Sequence, residues 1–155
     1  MCNKKGVGLI FVLLSLGVGT LSGFLNMESM SQYQVLNRPP LSPPAWVFPV
    51  VWTILYILMG IGAAMVYCSH DDEKKTALIL FFIQLVFNFC WSFFFFTLEW
   101  RLFAFIWLIV LLILVLAMTK AFGRISPLAA KLQIPYILWL CFAAYLNFGA
   151  WWLNR

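Results

Sequence analysis

Apolar residues fall in five long runs, at approximately residues 6–25, 45–67, 76–98, 102–122 and 128–151, separated by short polar or proline-bearing stretches. About 20 apolar residues suffice for a helix to cross the hydrocarbon core of a bilayer. Such a helix also satisfies its own backbone hydrogen bonds, which lipid cannot do for it. The pattern predicts an all-α fold: an integral membrane bundle of five transmembrane helices, with residues 1–155 as a single transmembrane domain. The first run follows Lys4 and Lys5 and so has the flanks of a signal peptide. Its length is that of a full span and further spans follow, so it is read as a retained helix.

Polar and aromatic positions inside the runs repeat at helical spacing. Ser15, Gly19 and Gly23 form a small-residue groove on the first span, and Gly60 with Ala64 a shorter one on the second. Trp52, Tyr56, Met59 and Ala63 share one face of the second span. Gln84, Asn88 and Ser92 share a face of the third, beside Trp91. Amides at that depth are costly unless paired, so this face points into the bundle; interhelical hydrogen bonding and ligand contact both account for it. The fourth span is apolar all round, with Gly123 as its stop. On the fifth, Trp139, Ala143 and Asn147 share a face with Tyr136 one turn earlier, and Pro135 should kink the helix.

Between the first two runs lies a loop containing Tyr33, Arg38 and four prolines, Pro39, Pro40, Pro43 and Pro44, which exclude regular helix or central strand. Ser42 before Pro43 has the form of a helix cap followed by an N1 proline, and Ser126–Pro127 repeats it. A stiff loop feeding a helix with Trp46, Trp52 and Tyr56 reads either as a lid over a flat apolar ligand or as a membrane loop with interfacial aromatics.

Charge alters the picture in one way. Of 155 residues, 65% are hydrophobic and 10% charged, so the net charge of +5 sits in loops and reports topology rather than nucleic-acid binding. Lys4, Lys5, Lys74, Lys75, Lys120, Arg124 and Lys131 fall on one side, and Arg38, Arg101 and Arg155 on the other. The positive-inside rule then places the N-terminus in the cytoplasm, and the proline loop and C-terminus outside. Cys2, Cys68, Cys90 and Cys141 show no CxxC spacing, and three lie in or beside apolar runs, where thiols serve as small hydrophobes, so neither a disulfide nor a metal site is expected. His70, the single histidine, lies in a charged loop away from any haem-binding depth. The spans hold no acidic residue of the kind ion-coupled transporters use, and no nucleophile–base pair is visible.

The stretches PPLSPPAWVFPVVWTILYILMG (Pro39–Gly60), NFCWSFFFF (Asn88–Phe96) and IPYILWLCFAAYLN (Ile134–Asn147) resemble the TspO/MBR family, the tryptophan-rich sensory proteins related to the mitochondrial translocator protein or peripheral-type benzodiazepine receptor. The resemblance implies a five-helix bundle, often a homodimer, with a pocket beneath the first loop. Porphyrins (protoporphyrin IX, haem) and isoquinoline-carboxamide drugs are its implied ligands, with no cofactor required. Carried over by motif, the ligand-binding residues are Tyr33, Trp52, Asn88, Trp91, Ser92, Trp139 and Ala143. Two departures stand out. Leu41 occupies the place where many members carry tryptophan, and Tyr145 has no basic residue before Arg155, so the family's mammalian cholesterol pattern is not met. Three functions fit the resemblance. The first is a porphyrin receptor with a sensory, protective or trafficking role. The second is an enzyme for light- and oxygen-dependent protoporphyrin degradation, with Trp52 and Trp139 as candidate catalytic residues. The third is a transporter of porphyrins or other amphiphiles.

Overall fold

The computed structural model describes residues 2–155, which contain helices and no strand. Helix α1 spans Lys4–Leu25, opened by Asn3, whose side chain accepts the Gly6 N–H at 3.2 Å. The others are α2 (Met27–Tyr33), α3 (Val47–Tyr67), α4 (Lys74–Ser92), α5 (Arg101–Ile125), α6 (Pro127–Lys131) and α7 (Ile134–Leu153). Five segments are long and apolar enough to cross a membrane: α1, α3, α4 with the turn that follows it, α5, and α6 with α7. The chain is an all-α, multi-pass membrane bundle. Outward positions such as Leu9, Ile10, Leu13, Ile54, Ile106 and Ile113 are apolar and exposed, as lipid-facing residues are.

Helix ends depart from the sequence reading at four places. Ser42 does not cap α3: its hydroxyl donates to the Pro39 carbonyl at 2.7 Å, closing a turn, and α3 begins only at Val47. The second proline of each pair disfavours helical geometry in the residue before it, which delays the start. The loop before it is not wholly irregular, because Met27–Tyr33 forms α2. Gly123 does not stop α5, which continues to Ile125; the break comes at Ser126, whose side chain accepts the Ala129 N–H at 3.3 Å. Pro135 does not kink a continuous span. The helix is interrupted at Leu132–Gln133, and Pro135 sits in the first turn of α7, where a missing N–H leaves no bond unmade. The third span ends in a π-helical turn, Phe93–Thr97, followed by Glu99 at φ 55°.

The spans close into a ring in which α1 packs on α3 and α4, α4 on α5, α5 on α7, and α3 on α6. Small residues set the tightest contact. A Cβ at Gly60 would lie 2.6 Å from the Val12 Cα, so α1 and α3 meet backbone to backbone there. Gly19 faces the Tyr56 ring, while Gly23 has open space before it. The half of the bundle near the N-terminus is filled by Met59, Val66, Phe81, Leu111, Met118 and Phe122, all fully buried. Cys2 and Cys68 form a disulfide across that end, against the expectation of none. They are 66 residues apart, and no local spacing announces such a pair.

Candidate functional site

The opposite half of the bundle is hollow. Residues 37–46 form a roof loop at this end, held to α7 at three points; of them Ala45 lines the cavity. Asn154 accepts the Asn37 N–H at 3.1 Å and donates Nδ2–H to the Asn37 carbonyl at 2.8 Å. The Tyr145 hydroxyl donates to the Pro40 carbonyl at 2.8 Å. Pro39 is buried against Gly149, where an added Cβ would come within 2.5 Å of its ring. Four prolines leave the loop few alternative shapes, so these three ties suffice to hold it. Leu41, at φ 68°, lies exposed at its tip.

On the other side, Tyr33 at the end of α2 packs edge-on to Phe48 and Phe96, with the Arg38 guanidinium 5.6 Å from its ring centre. Burial raises its phenol above the ordinary value, with Arg38 and Ser42 opposing. Tyr33 is therefore neutral at physiological pH. Trp46 is exposed at the loop's end, as an interfacial aromatic would be.

Beneath the roof is a cavity of about 500 Å³, within the roughly 300–1,000 Å³ of small-molecule sites. Helix α1 contributes Leu16, Gly19, Thr20 and Gly23, and α2 contributes Met30, followed by Gln34 at its C-cap. Helix α3 supplies Phe48, Trp52 and Tyr56; α4 and its π turn supply Asn88, Trp91, Ser92, Phe95 and Phe96; α7 supplies Ala143 and Asn147. The lining is aromatic and apolar with scattered amides and hydroxyls, and carries no ionisable group other than Tyr33 and Tyr56.

The floor is a buried chain of hydrogen bonds. The Tyr56 hydroxyl donates to Asn88 Oδ1 at 2.7 Å, and Asn88 Nδ2 donates to the Tyr136 hydroxyl at 2.7 Å. Tyr136 in turn donates to Gln84 Oε1 at 2.8 Å. Three spans are thereby tied together, and Asn88 joins the network while also lining the cavity. Along the polar face of the third span, Gln84 bridges helices, Ser92 lines the cavity, and Asn88 does both. On the wall, Trp91 Nε1 donates to Asn147 Oδ1 at 3.0 Å, and Asn147 Nδ2 donates to the Arg101 carbonyl at 2.8 Å. These bonds fix the indole's orientation. Ser92 lines the cavity beside Trp91.

Of the residues singled out by motif, Tyr33, Trp52, Asn88, Trp91, Ser92 and Ala143 line this cavity. Trp139 does not. It lies behind Trp52, with ring centres 6.5 Å apart and planes at 86°, and it lines a separate apolar groove with Val51, Leu55, Pro135 and Phe142. The two tryptophans touch edge to face but look into different spaces. Beyond Tyr33, sequence reasoning missed the contribution of α2, and it missed Phe48, Phe95 and Phe96 in the lining. Helix α2 lacks a recognisable pattern, and the phenylalanines do not stand out in so apolar a chain. The small residues of α1 were a usable signal, since Gly23 opens onto the cavity and Gly19 makes room for the Tyr56 ring that lines it.

Comparison with known proteins agrees with this geometry. The TspO/MBR family model matches residues 11–153. The tryptophan-rich protein TspO of Chlorobaculum tepidum is 38% identical over 98% of this chain and 99% of its own length. The tryptophan-rich sensory protein of Cereibacter sphaeroides is 37% identical over 79% of this chain and 76% of its own. The human translocator protein is 34% identical over 88% of this chain and 83% of its own. With five spans, a roofed cavity walled by tryptophans, and a match over nearly its whole length, the chain belongs to the TspO/MBR family.

Proposed function

We propose that this protein is a membrane receptor for porphyrins, protoporphyrin IX and haem among them, and for related planar apolar ligands, with a sensory, protective or trafficking role in tetrapyrrole handling. The observation that carries this reading is the cavity itself: about 500 Å³, roofed, and walled by Trp52, Trp91, Phe48, Phe95 and Phe96. A flat macrocycle offers two π faces to such walls, and its polar edge meets Ser92, Asn88 and Gln34. The aromatic walls stack on the macrocycle whether or not it holds iron, so the free-base porphyrin is a ligand in its own right. Isoquinoline-carboxamide-type molecules fit the same description. The N-terminal face is cytoplasmic on the loop charges, the roof faces outward, and the working unit is a homodimer as the family resemblance implies.

Titration of the purified protein in lipid nanodiscs with protoporphyrin IX tests this. The expected result is saturable quenching of tryptophan fluorescence, competed by an isoquinoline carboxamide. Linear, non-competed quenching equal to that of empty nanodiscs would mean simple partitioning into lipid.

A second reading, photo-oxidative degradation of the bound porphyrin, is favoured by one observation. Trp52 lines the cavity and touches both Tyr56, with ring centres at 5.6 Å, and Trp139 at 6.5 Å, so the most easily oxidised side chains adjoin the ligand space. Trp52→Phe keeps a stacking wall but removes the indole. On this reading the variant binds protoporphyrin and loses light- and oxygen-dependent spectral conversion. Conversion at the wild-type rate would leave Trp52 as a wall alone.

A further inference from the structure

The Cys2–Cys68 bond stands apart from the ligand cavity and from everything derived so far. It joins the chain just before α1 to the C-terminal end of α3, with Cα atoms 5.5 Å apart, and neither residue is fully buried. The surroundings mix charges: Asp71, Asp72 and Glu73 lie between Cys68 and Lys74, and Glu73 pairs with Arg124 at 3.7 Å. Lys4 and Lys5 follow Cys2 in the chain. Lys74 Nζ donates to the Ser69 carbonyl at 2.8 Å and the Tyr67 carbonyl at 3.4 Å, placing an ammonium on the turn that carries Cys68. The thiolate is the form that attacks peroxides and disulfides.

This is also the face that carries Lys75, Arg124 and Lys131, the side that loop charge assigns to the cytoplasm. Structural disulfides do not persist there, because glutathione and thioredoxin reduce them; those that form are transient. Two cysteines held at bonding distance on a reducing face make a pair that cycles.

We propose that Cys2 and Cys68 are a reversible oxidation site, reduced at rest and converted by hydrogen peroxide to a disulfide that clamps α1 to α3. One thiolate attacks a peroxide oxygen; the O–O bond breaks, hydroxide leaves and is protonated to water, and the cysteine becomes a sulfenic acid. The second thiolate attacks that sulfur and displaces the hydroxyl as a second water. Two thiols and one peroxide give one disulfide and two waters, the thiols supplying both electrons. Two glutathione thiols reverse the step through a mixed disulfide, leaving glutathione disulfide. The closed loop contains α1, α2, the proline roof and α3, and the clamp lies beyond the close Gly60–Val12 contact from the cavity. Oxidation therefore holds two cavity walls together. The proposal rests on the cytoplasmic orientation and not on the identity of the ligand.

The test uses intact bacterial cells expressing the full chain with Cys90→Ser and Cys141→Ser, which remove the two free thiols. Cells are acid-quenched and labelled with a polyethylene-glycol maleimide under denaturing conditions. Two labels are expected at rest, none after a peroxide pulse, and two again after recovery. With Cys68→Ser added, one label should remain after a brief pulse. The purified two-cysteine protein should melt about 5–10 °C higher oxidised than reduced. A bond present in resting cells, two labels after peroxide, or identical melting of the two forms would each overturn the proposal.

Discussion

Asn88 is the residue on which the site turns. It accepts from Tyr56 and donates to Tyr136, so one side chain joins three spans while presenting its edge to the cavity. Asn88→Leu leaves the Tyr56 hydroxyl without its acceptor and Tyr136 without a donor. Thermal unfolding in detergent should show a loss of about 1–2 kcal/mol, accompanied by weaker porphyrin binding. Tyr136→Phe removes one bond of the same chain, so the double variant should lose less than the sum of the singles. Strict additivity would mean the bonds do not act as a network. The amide was legible in the sequence, because Gln84, Asn88 and Ser92 interrupt an apolar run at every fourth position. Its partners were not: a tyrosine in a membrane helix reads as a wall, and only the fold shows that both hydroxyls converge on one asparagine. Trp139 teaches the reverse lesson. It shares a helix face with Ala143, yet the ring lies behind Trp52, because a helix face fixes direction and not depth.

Among the elements, the five spans were legible from hydropathy alone, while their ends were not. Ser126–Pro127 starts a helix and Ser42–Pro43 does not, although the two look alike, because a second proline follows the latter directly. Helix α2 and the π turn at Phe93–Thr97 carry no periodic signal that would set them apart from a loop or an ordinary helix end. The packing of α1 on α3 depends on Gly60. Gly60→Val would drive Cβ into the Val12 backbone, which cannot yield as a side chain can, and should destabilise the protein by about 1–3 kcal/mol. Gly17→Ala on the open face of α1 is the control and should cost nothing. Equal melting temperatures for the two variants would show that α1 and α3 are not in close contact. The roof makes a separate prediction. Tyr145→Phe with Asn154→Ala removes its hydrogen bonds to α7 and should speed porphyrin release, read by stopped-flow fluorescence, with little change in melting temperature.

The whole molecule divides into a filled half near the N-terminus and a hollow half under the roof. On the topology proposed from the loop charges, five crossings put the termini on opposite sides with the N-terminus inside. Reporter fusions at the two ends should therefore signal opposite compartments, with the N-terminal one cytoplasmic; both in the cytoplasm would mean one helix does not cross. The central claim is that the hollow half holds the porphyrin, and filling it tests that most directly. Ala143 is a small residue on the cavity wall, and Leu138 lies on the same helix but lines the outer groove. Protoporphyrin IX affinity is to be measured in nanodiscs for wild type, Ala143→Phe and Leu138→Phe, each with its melting temperature. The account predicts at least a tenfold loss for Ala143→Phe, corresponding to about 1.4 kcal/mol, with wild-type affinity for Leu138→Phe and stable folds for both. Wild-type affinity in a folded Ala143→Phe variant would contradict it.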